Sequence, residues 1–183
     1  MRVAVPMRGF ALREPSIIYV QQSGYFPRDE FTRAHEVMEL FAPPDIRAAS
    51  SESKERFCDK GAAALLLPRR QFLFSLHATG WDLPKLKRRW PWSSWATIAS
   101  RLHDLVPGVS ASSWVENRRE WGRYPEGAGV PALVALRSAE EDAVLELYRG
   151  RGVAVARRSS TLARAWRLTA RGKRVAIAVC KRD

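Results

Sequence analysis

Two stretches, Phe31–Phe41 and Glu55–Pro68, constrain this chain more than anything else in it. The first reads FTRAHEVMELF. On a helix, His35 and Glu39 fall at i and i+4 and share one face, one turn above the other. Glu36 projects beside His35 toward the same mouth. The second stretch reads ERFCDKGAAALLLP; it carries Glu55 and Asp59 at the same spacing, then turns to small apolar residues and stops at Pro68. Gly61 to Ala64 let such a helix pack closely against the first. A His and a second ligand at helical spacing, with Glu following the His, is a layout that holds a metal ion and supplies a general base. Glu39 stands where that motif has a second His, and Glu55 is placed to bring a third ligand from the second helix.

Taken together, the two blocks resemble the ImmA/IrrE regulatory metallopeptidases. Members of that family read approximately RFTxAHExxH, then ExxAN or ExxAD, then xFAAxLLMP. The corresponding strings are Phe31 to Glu36, Glu55 to Asp59 and Gly61 to Pro68, in the same order. The resemblance covers roughly residues 9 to 110 and fades beyond. It implies an α+β, zincin-like metallopeptidase domain, with a small sheet packed on the metal-site helix and further helices. It also implies limited proteolysis of a regulatory protein, typically a helix-turn-helix transcriptional repressor. In that reading His35, Glu39 and Glu55 hold the metal, and Glu36 takes the proton from the attacking water. Zinc is the first expectation. Two carboxylates formally neutralise a divalent ion and shift preference toward manganese or iron, which are the alternatives. The rival reading is a catalytically inactive module that keeps the peptidase scaffold for regulation or for binding nucleic acid.

Length bounds the rest: 183 residues make one domain, or one domain with an appendage. The net charge of +12 is unevenly spread. Residues 1–60 carry nine basic and nine acidic side chains, whereas residues 61–183 carry 22 basic and 10 acidic. Such a basic stretch can meet nucleic acid, although a solvated surface is the favoured explanation. No apolar run reaches the length of a membrane span, and no signal-peptide core opens the chain. A cytoplasmic protein is therefore expected, and the two cysteines, Cys58 and Cys180, fit a reducing compartment.

In chain order, Gly9 to Val20 reads as a strand and Gln21 to Arg28 as a loop, with Asp29 capping the metal helix. Pro43-Pro44 ends that helix. A loop follows, and Ser51 or Ser53 caps the second helix. Three more helices are expected over Arg69–Leu76, Asp82–Trp90 and Ser93–Leu105. The last two form a pair superficially like a helix-turn-helix, edged by Lys85, Lys87, Arg88 and Arg89 and flanked by Trp90, Trp92 and Trp95. Core anchoring is the favoured role of those tryptophans. A metallopeptidase domain over 1–123 and a small α/β segment of open role over 130–183 are expected, separated by a linker at Tyr124–Gly129. The second contains a strand over Pro131–Arg137, a helix over Ala139–Arg149, and strands over Gly152–Arg158, Thr161–Thr169 and Lys173–Cys180. Arg171-Gly172 is the expected hairpin turn. His77 and His103 read as surface or packing residues. Cys58 reads as packing, and Asp59 either holds His35 by its second nitrogen or caps a turn.

Overall fold

A computed structural model describes residues 9–115, 118–123, 143–144, 153–158, 161–170 and 173–182. The expected linker, the 131–137 strand, most of the 139–149 helix and the Arg171-Gly172 turn lie outside the described residues. The class is α+β, and the chain divides into two compact units, Met1–Ser94 and Trp95–Asp183.

The first unit begins with two strands, β1 (Gly9–Leu12) and β2 (Ile17–Val20), paired antiparallel with Gly9 opposite Val20 and Leu12 opposite Ile17. The expected single strand is thus a hairpin, because Arg13-Glu14-Pro15-Ser16 breaks it with a proline that cannot extend a ladder. Five helices follow: α1 (Phe26–Leu40), α2 (Pro44–Ala48), α3 (Ser51–Leu66), α4 (Arg69–Ala78) and α5 (Leu83–Arg89). Helix α1 starts ahead of Asp29, since Pro27 sits in the first turn, where a missing N–H costs nothing. Asp29 instead accepts from the Ser23 hydroxyl at 2.6 Å and the Ser23 backbone N–H at 3.0 Å, which hold its carboxyl below the usual range. Pro44, expected only to stop α1, also opens α2. The cap of α3 is Ser50 and neither Ser51 nor Ser53, its Oγ accepting from the Ser53 N–H at 3.3 Å.

Helices α1 and α3 pack against each other through small residues. A Cβ on Gly61 would stand 2.6 Å from Met38 Cγ, so any larger residue there would force the Met38 side chain to move. The same holds where the hairpin meets α1: a Cβ on Gly9 would lie 2.7 Å from Glu36 Oε1 and 2.9 Å from Thr32 Cγ2. Arg13 in the hairpin turn donates from Nη2 to the Glu39 carbonyl at 2.9 Å. That bond adds to the one the Glu39 carbonyl accepts from the Ala42 N–H at 3.3 Å and ties the hairpin turn to the last turn of α1.

The second unit holds α6 (Trp95–Leu105) and a five-stranded antiparallel sheet in the order β4-β3-β7-β6-β5. Its strands are β3 (Val109–Val115), β4 (Arg118–Arg123), β5 (Val153–Arg158), β6 (Thr161–Ala170) and β7 (Lys173–Arg182). The last three strands match expectation closely. Strands β3 and β4, which precede the expected linker, pair with each other and, through β3, with β7. The compact units divide at Ser94/Trp95. One buried cluster joins Trp114, Ala154, Ala163, Ala165, Ala178 and Cys180 with Ala143 and Val144. The alternate positions Val109, Ala111, Ile177 and Val179 are buried too, and α6 packs on β3 and β7.

Candidate metal centre

The α1–α3 pair brings His35, Glu55 and Asp59 together, each with a ligand atom within 4.8 Å of the other two. His35 Nδ1 lies 3.1 Å from Asp59 Oδ1, and His35 Nε2 lies 3.5 Å from Glu55 Oε2. Among the described residues no Lys or Arg forms an ion pair with either carboxylate. Hydrogen bonding to Asp59 is the largest influence on the imidazole and raises its pKa, against the opposing effect of burial.

The donor set fits a divalent ion. With Nδ1–H donated to Asp59, a neutral imidazole turns its Nε2 lone pair toward a carboxylate oxygen. That arrangement is repulsive unless a proton or a cation lies between them. Two ligand atoms, each about 2.1 Å from a tetrahedrally coordinated ion, stand about 3.4 Å apart, which the His35–Glu55 separation matches. Asp59 then takes the orienting role behind the imidazole, one of the two the sequence left open.

Glu39 lies outside this three-residue cluster and is exposed. Its charge nonetheless reaches the site, where it acts more strongly than any other charge on both Glu36 and the Cys58 thiol. Glu36 is only 6% exposed, and its Oε2 is buried without a hydrogen-bond partner. Burial first, then the Glu39 charge, pushes its carboxyl up to about 6. Cys58 is buried, its thiol pushed up to about 11 by burial and by Glu39 and Glu55, and it stands as a packing residue. His77 is exposed on α4, and the His103 ring nitrogen Nδ1 pairs with the Val109 carbonyl at 2.8 Å. Neither joins the cluster. Sequence reasoning missed the cover that Gly9 lays over Glu36; the signal available was a glycine opening a β-prone run.

No protein-family model matches the chain, and no curated protein does. Among solved structures it is similar to a Mycobacterium tuberculosis transcriptional regulator, with a TM-score of 0.68 and 14% identity. The match covers 98% of this chain and 63% of that one, so the present chain spans less than two thirds of its neighbour. At that identity the likeness is one of fold. Among the described residues no helix is long and apolar enough to cross a membrane.

Proposed function

We propose that the first unit is a zincin-like, metal-dependent endopeptidase of the ImmA/IrrE type, working in the cytoplasm on a helix-turn-helix transcriptional repressor. The observation that carries this reading is the 3.5 Å approach of His35 Nε2 to Glu55 Oε2, with Asp59 behind the ring. His35 and Glu55 hold the ion, and Glu39, one helical turn from His35, completes the set; zinc is the first choice. When bound, such an ion acidifies water and polarises a carbonyl. Glu36 accepts the proton of the attacking water and returns it to the leaving amine. A carboxyl raised to about 6 is better matched to that task at neutral pH than an ordinary glutamate.

A second reading is a regulatory module that keeps the site without catalysis. The cover over Glu36 favours it, since a general base at 6% exposure needs β1 to shift before water reaches it. Cleavage of a fluorogenic peptide library by the zinc-loaded protein, and its loss in Glu36→Gln at unchanged metal content, is the expected result. Metal binding without cleavage in the wild type selects the regulatory module.

A further inference from the structure

Among the described residues, a concentration of positive charge outside the candidate metal centre lies on the α4–α5 pair. Its two helices are joined by four residues, Thr79-Gly80-Trp81-Asp82, with Gly80 at φ 60° and Trp81 at φ 65°. A short, glycine-containing connection of this kind is typical of helix-turn-helix units. The sequence pointed instead to the helices now numbered α5 and α6, which fall in different units. Asp82 caps α5, accepting from the Lys85 N–H at 2.8 Å. Leu83 and Leu86 are buried, while Lys85, Arg88 and Arg89 are exposed. At i, i+3 and i+4 those three cations share the outer face of the helix.

Lys87 is the exception and shows how the face is held. Its Nζ donates to the Pro91 and Ser93 carbonyls at 2.6 and 2.7 Å, tying the end of α5 to the turn that follows. Burial lowers its pKa. Trp92 in that turn is anchored by its indole N–H to the Leu66 carbonyl at 3.3 Å and packs edge-on against Trp90. A ring 38% exposed therefore adjoins the basic helix end. Among the described residues Arg88 and Arg89 have no acidic partner, and Lys85 has only Asp82 at 3.8 Å. The exposed Arg69 and Arg70 open α4 with further positive charge.

We infer that the outer face of α5 binds the phosphate backbone of duplex nucleic acid without sequence preference. The assignment is independent of the metal centre. Each cation that neutralises a phosphate releases counterions, so binding weakens steeply with salt. Lys85, Arg88 and Arg89 supply the contacts, and Lys87 is a positioning residue.

The test is fluorescence anisotropy of the full chain with a labelled 20-base-pair duplex over a salt series. Replacing Lys85, Arg88 and Arg89 together by alanine should flatten the slope of log K against log salt by about 2.5 to 3, near 0.9 per contact. Replacing the exposed Lys54, Arg56 and Lys60 on α3 removes the same net charge and should leave that slope within about one unit. Retained circular dichroism in both variants shows that the fold survives. An equal loss in both would reduce the effect to net charge and overturn the assignment, as would an unchanged slope in the α5 variant. Preference for single strands over duplex would overturn the choice of ligand.

Discussion

Among the described residues the two units bury their apolar side chains differently, although the second also leaves Val153 and Val155 exposed. In the second, Ala154, Ala163, Ala165 and Ala178 lie on one sheet face beneath Trp114, Ala143 and Val144, a core of small side chains in close array. In the first, α1 and α3 meet where Gly61 faces Met38, and the surface keeps large apolar groups in water. Phe10, Leu12, Ile17 and Tyr19 form the outer face of the hairpin, and Phe26, Phe41 and Phe74 are more exposed still. The first unit also holds a buried carboxyl oxygen with no partner. Natural folds tolerate such local violations chiefly at sites with a task. The contrast sets a partnerless buried carboxyl oxygen in the first unit against a closely packed alanine cluster in the second.

The largest expected effect separates core from surface within α4. Phe72→Ala, at a fully buried ring packed near Trp90, should cost about 3–5 kcal/mol, whereas Phe74→Ser on the exposed side should stay within about 0.5 kcal/mol. Urea unfolding of the two variants checks this, and similar costs would erase the distinction. Next comes the alanine sheet. Ala165→Leu should cost about 1–3 kcal/mol through overpacking, read as a lower thermal midpoint.

The third effect is a pH dependence of the metal-free protein. Glu36 is raised in the folded state from 4.5 to about 6, so the folded chain binds more protons than the unfolded one between those values. Its contribution is full below about 4.5 and is lost as pH rises through about 6, a change of about 2 kcal/mol at most. Glu36→Gln should remove that slope and stabilise the apo-protein at pH 7. An unaltered slope would mean that Glu36 is better solvated than its burial indicates.

Much of the first unit was legible in the sequence because its signals are local. Spacing alone put His35 on the α1 face that meets α3, and Pro68 and Gly80 marked helix ends. The turn at Arg13–Ser16 was passed over because Ile17–Val20 dominated the β signal around it. Strands β3 and β4 were missed for a different reason. Residues Val109–Trp114 are buried on both sides, so the alternation that betrays a half-exposed strand is lacking, and serines at 110, 112 and 113 weaken the β signal. Their partners lie in β7, far along the chain, and nothing local encodes that pairing. The metal-site helices were readable as spacing; the placement of Asp59 rather than Glu39 beside His35 depends on how α1 and α3 pack.

Metal content is the most direct test of the central claim, that His35 and Glu55 hold a divalent ion with Asp59 orienting the imidazole. Elemental analysis of zinc-equilibrated protein should give about one equivalent for the wild type and for Glu36→Gln, since one ion fills one open site. His35→Ala, Glu55→Gln and Glu39→Gln should lose the ion, and Asp59→Asn should weaken it about 10–100-fold. If Glu39→Gln alone keeps full occupancy, the third ligand is another group and the remaining assignment stands. Equal metal content in the wild type and in every variant would contradict the account: the approach of His35 to Glu55 would then be a charge-paired histidine, with no metal centre behind it.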